Sequence, residues 1–408
     1  MIAILQKERY LNHELSNILT QLATDLDINE TQYNNAVASY TAVGDYLTSK
    51  ESPLYPYTPR VKPQGSFLLG TPIKPIHEDD DIDIDLVVYL LYKNNEWTQK
   101  NLKDKVGNWL KQKSVYKDLL FPEGRRCWTL GYRQESSISQ KYHMDILPTI
   151  VDVNYDVMVE RSFKNLLEAD IQDLAIRYTD NKLVTYTNTS DLYGWPLTNP
   201  FGFAKWFYIR AITDNNSMYL SRMIESVPKY STDKLVLQRA VQILKRHRDI
   251  MFNGDEEKPI SIIITTLAAK AYNKDNNLFT AIKHIINHME NHVVTKFDFM
   301  KNEYYKVIEN PVNIQENFAD KWRENKSKER KFYAWLTQVK KDISELEQLR
   351  GLDKIGNLLA LRFGEKISKE TLRNYALKSQ NETKFDFKTG ISSLGTVTIP
   401  EHTFYGKE

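Results

Sequence analysis

Five aspartates, Asp79, Asp80, Asp81, Asp83 and Asp85, fall within seven positions, and the chain then runs into the apolar stretch LVVYLLY. Asp81, Asp83 and Asp85 alternate with Ile82, Ile84 and Leu86. On a strand, residues two apart share a face; on a helix they point in different directions. The spacing therefore predicts a strand with carboxylates on one face and apolar side chains on the other. An acidic edge strand that repels unwanted pairing is the plain alternative. It fits poorly, because LVVYLLY reads as an interior strand. A calcium loop needs glycine at its sixth position and glutamate at its twelfth. Counted from Asp81, those positions hold Leu86 and Tyr92, so that reading fails. Magnesium prefers oxygen ligands and is usually held by one or two carboxylates together with substrate phosphates. Crowded carboxylates without a cation repel one another and raise at least one pKa, which a bound metal relieves. The pattern points to divalent cations serving phosphate chemistry.

Gly65 and Ser66 stand just ahead of this strand. A glycine lets backbone approach a ligand, and a serine adds a hydroxyl. If SFLLG opens a helix, its first N–H groups face an anion. A second aspartate strand is predicted in YHMDILPTI, where Asp145 sits two residues after His143. His143 alone reads as a packing or hydrogen-bonding histidine. The charge run Lys245, Arg246 and Arg248 in LQRAVQILKRHRD reads, on the residues alone, as a solvated helix face. Trp206 and Trp335 lie in apolar helical patterns and read as core. Lys74, between prolines in GTPIKP, reads as a surface lysine.

GSFLLGT followed by DIDIDLVV resembles the nucleotidyltransferase superfamily of the DNA polymerase β type. The nearest likeness is to the bacterial CD-NTases, which are related to animal cyclic GMP-AMP synthase and oligoadenylate synthetase. That family has a third aspartate on a later strand, and Asp145 in YHMDILPTI matches it. NPFGFAKWF, LQRAVQILKRHRD, PISIIITTLAA and NPVNIQENFADKW extend the likeness, which covers roughly residues 30 to 335. The resemblance implies that Asp83 and Asp85 bind two Mg2+ ions (Mn2+ being the alternative), with Asp81 as rival for the first position. It implies that Asp145 completes the first metal's site and helps activate the attacking hydroxyl. Gly65 and Ser66 would hold the triphosphate. Lys245 would reach it from a helical domain, and Ser261 would lie close to it. The implied reaction joins nucleoside triphosphates, ATP among them, into a cyclic di- or trinucleotide messenger in anti-phage (CBASS-type) signalling. A linear oligoadenylate synthetase, or a transferase acting on RNA or a small molecule, is the alternative within the same chemistry; a catalytically silent binding protein is the alternative outside it. The branch also implies an operon-encoded regulatory partner and a separate effector that reads the product.

The elements that must position these residues follow from periodicity and breakers. Residues 1–25 and the stretch from DINETQY onward read as helices, the second with a start signal at Asp27 and Glu30. PLYPYTPRVKP must leave the helix. Residues 98–113 read as a helix, and RCWTLGY and YHMDILPTIVDV as strands. Beyond about residue 155 strand signals fade. DKLVLQRAVQILKRHRDIMF and ISIIITTLAAKAY read as helices, as does most of the chain to about 350, and the segment from Gly364 reads as a mixed tail. The resulting fold class is α+β: a polymerase β-like nucleotidyltransferase core, with a mixed sheet and helices, plus a C-terminal helical domain. The expected division is 1–195 for the core with its N-terminal helices, 196–350 for the helical domain, and 351–408 for the tail. A chain of 408 residues is long enough for its core to split in this way. The net charge of +2 offers no global field for long nucleic acid, which argues against such an activator. The single cysteine, Cys127, excludes an intrachain disulfide and a cysteine zinc cluster, which suits a reducing compartment. MIAILQKERYLNHE is too short in apolar residues for a signal peptide, and no stretch approaches a membrane span. The expectation is a soluble cytoplasmic protein without membrane contact.

Overall fold

The structure is a computed structural model and describes residues 2–76, 82–132, 142–164, 166–213 and 230–389. Two helices come first, α1 (Ile2–Asp25) and α2 (Glu30–Thr48). The start signal of α2 is not Asp27 with Glu30. Asn29 caps the helix, accepting from the Gln32 N–H while the Gln32 side chain accepts from the Asn29 N–H. Asp27 is buried instead, and accepts from Lys234, from Arg239 Nη1 at 2.7 Å and from Gln242 Nε2 at 2.7 Å. A carboxylate taken out of water needs such partners, so tertiary pairing displaces local capping here.

Strand β1 (Pro59–Gln64) leads into the five-residue helix α3 (Gly65–Leu69) and then into β2 (Ile82–Leu90). Of the prolines that predict only a departure from helix, Pro59 and Pro63 lie in a strand, and it is one that tolerates them. Proline lacks the N–H a central strand needs, and β1 ends the sheet order β1-β2-β4-β5-β6. Next come α4 (Gln99–Gln112), α5 (Ser114–Leu119), β3 (Trp128–Tyr132), β4 (Tyr142–Ile150), α6 (Tyr155–Phe163), β5 (Ile176–Tyr178) and β6 (Leu197–Thr198). β2 and β4 are parallel, and β3 pairs antiparallel with β4. β2 lies between β1 and β4, an interior strand as expected.

The two faces of β2 have different fates. Ile82, Ile84, Leu86, Val88 and Leu90 pack in a core shared with Val43 of α2 and Val106 of α4. The opposite face begins with Asp83 and Asp85 and continues with Val87 and Tyr89, which enter a second core among the helices.

That helical part comprises α7 (Pro200–Ala211), α8 (Val236–Phe252), α9 (Ser261–Ala271) and α10 (Leu278–His288). After two small strand pairs, β7 (Val294–Asp298) with β8 (Glu303–Val307) and β9 (Glu309–Asn310) with β10 (Asn313–Asn317), come α11 (Lys321–Glu324), α12 (Lys326–Gln348), α13 (Leu352–Phe363) and α14 (Glu365–Thr389). Trp206 and Trp335 are buried in this core, as expected. The strands β5 and β6 fall where strand signals fade, and β7 to β10 interrupt a stretch expected to be mostly helical. β5, β6 and β9 are two or three residues long, too short to show a period. β7 and β8 carry polar side chains on both faces. Residues 365–389, expected within a mixed tail, are helical because Ile367 and Tyr375 pack on the helical core and α14 lies along α1. The tail motif HTFYGKE lies outside the described residues. Among the described residues no helix is long and apolar enough to cross a membrane.

Candidate active site

The parallel register of β2 and β4 sets Asp85 directly opposite Asp145, and Asp83 opposite His143. Paired residues on neighbouring strands share a face, so all three carboxylates rise from one side of the sheet at the beginning of both strands. Asp81, the rival for the first position, lies outside the described residues. Thr129 of β3 is paired with Asp145 from the other side, and its hydroxyl donates to Asp145 Oδ1. His143 is half-buried with its ring 5.1 Å from that of Phe121, the packing role expected of it.

Gly65 has φ of +59°, and a Cβ there would lie 2.1 Å from Asp85 Oδ2. The glycine thus lets the β1–α3 junction close over the Asp85 carboxyl. Burial, together with the charges of Asp83 and Asp145, raises the Asp85 carboxyl from an ordinary 3.8 to about 7, and Lys245 opposes the shift. This is the repulsion the sequence predicts for a carboxylate cluster without its cation.

Among the described residues no three Asp, Glu, His or Cys side chains converge as a ready-made metal cage. Magnesium does not require one, since it keeps waters and takes phosphate oxygens alongside one or two carboxylates. Hard oxygen donors on one face, with a buried Asp85 carboxyl whose ionisation is disfavoured until a cation joins it, fit such an ion.

Of the residues expected at the triphosphate, Ser66, Lys245 and Ser261 line one cavity of about 440 Å³, together with Lys74, Asp83 and Arg248 among others; Gly65 is not part of that lining. Lys245 is buried, and its Nζ donates to the Thr71 carbonyl at 2.9 Å. Burial and the neighbouring Arg248 lower its pKa to about 8, against the pull of Asp249 and Asp83. It belongs to a row along α8: Gln238 donates to Leu69 O, Gln242 to Pro72 O and Arg246 to Lys74 O. The row ties the carbonyls between α3 and β2 to α8. Arg246 and Arg248 are therefore not a solvated face. Both are buried, and Arg248 Nη1 donates to Pro259 O and to Ser261 Oγ, each at 2.9 Å. Ser261 opens α9. Lys74 is not a free-standing surface lysine either; its Nζ donates to Asp25 O at 2.9 Å.

A second cavity, about 880 Å³, opens on Asp145 and Thr129. Glu256, Lys258, Pro259 and Ile260 line both cavities. Asp83 lines the first chamber and Asp145 the second. Sequence reasoning took Arg248 only as part of a solvated charge run and singled out neither Thr129 nor the β10 residues of the second chamber; each owes its place at the site to tertiary packing that no local pattern records.

Two predictions arise here. Thr129→Val removes one hydrogen bond to Asp145 and no ligand. It should lower turnover roughly 10-fold with little change in KM, read by steady-state kinetics. In the metal-free protein, the folded Asp85 carboxyl holds its proton more tightly than the unfolded chain does. Its contribution to stability is therefore fullest below pH of about 4 and is lost as pH rises toward about 7. Thermal melts between pH 5 and 8 should show wild type losing stability relative to Asp85→Asn, and added Mg2+ should restore part of the difference.

Residues 59–148 match the family described as cyclic GMP-AMP synthase DncV-like, nucleotidyltransferase domain, a span that holds Gly65, Ser66, Asp83, Asp85 and Asp145. A c-di-GMP synthase of Roseivirga ehrenbergii is 25% identical over 356 residues, covering 86% of this chain and 84% of the relative. The cyclic dinucleotide synthase CdnG of Bradyrhizobium diazoefficiens is 24% identical over 328 residues, covering 76% of this chain and 71% of the relative. The solved structure of the Bradyrhizobium CD-NTase CdnG in complex with GTP superposes with a TM-score of 0.64 at 18% identity, over 89% of this chain and 99% of that one. It shares the fold, a mixed sheet followed by a helical region. Motif, relatives and fold agree: residues 59–148 match the DncV-like nucleotidyltransferase domain, and the chain as a whole is similar in sequence to cyclic dinucleotide synthases and in fold to a CD-NTase.

Proposed function

We propose that this chain joins nucleoside triphosphates by nucleotidyl transfer into a cyclic di- or trinucleotide, with Asp83, Asp85 and Asp145 as its catalytic residues. The observation that carries the site assignment is the register pair Asp85–Asp145, with Asp145 lining one cavity and Asp83, on the same strand face as Asp85, lining the other. Synthesis of a cyclic dinucleotide is what the two relatives are named for.

Ser66, Lys245 and Ser261 hold the triphosphate of one nucleotide in the smaller cavity, with the Gly65 backbone beside it. The second cavity receives the other nucleotide. A ribose hydroxyl attacks the α-phosphorus, the bond to the β-phosphate oxygen breaks, and pyrophosphate leaves. Asp145, held by Thr129, draws the hydroxyl proton. Lys245 and Arg248 stand on the side of the departing pyrophosphate. The three aspartates would hold two Mg2+ ions, Mn2+ being the alternative. When bound, these ions lower the hydroxyl's pKa and neutralise phosphate charge. A second round closes the ring.

A catalytic core within 1–195 and a helical domain within 196–350 suit this division of labour. The cellular setting is cytoplasmic anti-phage signalling, with the product read by a separate effector and the synthase governed by an operon-encoded protein. A net charge of +2 gives no basic field for a long nucleic-acid activator. The test is incubation of the full chain with labelled triphosphates and Mg2+. A small, phosphatase-resistant product bears the reading out. A phosphatase-sensitive ladder points to a linear oligonucleotide, and a product that needs added RNA points to a different acceptor; either overturns cyclisation.

A further inference from the structure

The larger cavity has a wall whose chemistry is specific. β10 supplies Glu316, and the core side supplies Arg126 and Tyr178. The walls are fastened across the cleft, since Asn313 Nδ2 donates to the Leu197 carbonyl of β6 at 2.9 Å. Glu316 is held from behind: its Oε2 accepts from Nδ2 of the buried Asn310 at 2.8 Å. Arg126 is held as firmly. Its guanidinium lies 5.0 Å from the Tyr178 ring centre, and its Nε donates to the buried Asp180 at 3.3 Å. The buried Lys103 secures the same loop by donating to the Arg125 carbonyl at 2.8 Å. Leu197, Ile260 and Ile262 give the cavity an apolar side.

A flat ring resting on that apolar side would present its edge to Glu316 and Arg126. An ionised carboxylate only accepts hydrogen bonds, and a guanidinium only donates them. Guanine alone among the common bases offers two adjacent donors, N1–H and N2–H, with the O6 acceptor next to N1. Adenine sets one donor beside one acceptor on that edge, cytosine sets one donor beside two acceptors, and uracil flanks its single donor with acceptors. Burial raises the pKa of Glu316, while Arg126 pulls it back. An ionised Glu316 thus depends on a neighbouring donor, and a guanine would add two more. The other carboxylates of this cavity are placed differently. Asp320 caps the short helix α11, and Glu256 lies at the junction with the triphosphate chamber.

We propose that Glu316 is a specificity-determining residue that accepts from N1–H and N2–H of a guanine base in the larger cavity, with Arg126 on the O6 side. The inference rests on the nucleotidyl-transfer reading and assigns a base to one of its two nucleotides.

The test uses the full-length chain with Mg2+ and GTP, ATP or inosine triphosphate, which lacks the 2-amino group. Two readouts are taken: product base composition by mass spectrometry, and equilibrium binding of each triphosphate. Wild type is expected to take GTP roughly 5- to 150-fold better than inosine triphosphate, the range for a good bidentate pair. Glu316→Gln is expected to erase most of that difference and to shift the product toward adenine, with an unfolding midpoint close to wild type. The inference is overturned if wild type treats GTP and inosine triphosphate alike, or if folded Glu316→Gln keeps the wild-type preference. Should wild type make no phosphodiester from any triphosphate yet still bind GTP selectively through Glu316, the transfer reading fails while the guanine site stands.

Discussion

Asp145→Asn should leave a folded protein whose nucleotidyl transfer has fallen on the order of 10³-fold or more. Asparagine has the same shape, and the Thr129 hydroxyl can still donate to its side-chain oxygen, so β4 keeps its place between β2 and β3. What disappears is charge at the point where β2 and β4 set two carboxylates opposite each other. A neutral amide neither draws a proton from a ribose hydroxyl nor balances a divalent cation. The loss should appear in turnover, while triphosphate binding through Ser66, Lys245 and Ser261 changes less. A second readout separates this from misfolding. Asp145 is one of the charges that push the Asp85 carboxyl up, so the variant should be as stable as wild type, or more so, in metal-free buffer at pH 8. Its gain in melting temperature on adding Mg2+ should shrink. Pyrophosphate release within about 10-fold of wild type would sink the assignment of Asp145, whatever the product.

The two aspartate-bearing strands were legible because their chemistry and their period coincide. Asp83 and Asp85 alternate with residues that feed a core, and the first residues of β4 repeat the arrangement around Asp145. Neither strand states the register between them. That depends on β1 and β3 closing the sheet on either side, and β1 is hidden by its own prolines. The run Lys245, Arg246 and Arg248 misled for a related reason. A charge run on an amphipathic helix usually faces water, but here the segment from Leu69 to Pro75 has no ladder of its own and draws its hydrogen bonds from α8. Buried backbone carbonyls need donors, and long cationic side chains supply them at a distance in sequence that no local pattern records. The wall of the larger cavity is harder still. Glu316 and Arg126 come from opposite sides of the cleft, one from a five-residue strand and one from a loop. Only the tertiary arrangement brings them to one site.

Gly65→Ala should cost on the order of 10²-fold in kcat/KM, its added methyl pointing at Asp85. Two effects add. Alanine in the left-handed region required at φ of +59° is disfavoured by about 1–2 kcal/mol. The new methyl would also stand 2.1 Å from Asp85 Oδ2, 2.9 Å from its Cγ and 3.2 Å from its Cβ, so something must move. The Asp85 side chain has little room to turn, with Asp145 opposite it and Gln64 of β1 paired on its other side. Either the carboxyl rotates off the face it shares with Asp145, or the β1–α3 junction lifts and carries Ser66 away from the triphosphate. A displacement of about 1 Å in a positioned catalytic group is enough for a 10²-fold loss. Gly364→Ala separates the two causes. Its φ of +104° is likewise a backbone conformation that L side chains rarely adopt, but the nearest atom to the added methyl is Ile250 Cδ1 at 3.3 Å, outside the site. Destabilisation in both variants, with activity lost only at Gly65, is the expected pattern in paired melts and pyrophosphate-release assays. A fully active Gly65→Ala would mean that Asp85 works from a position other than the one it takes here.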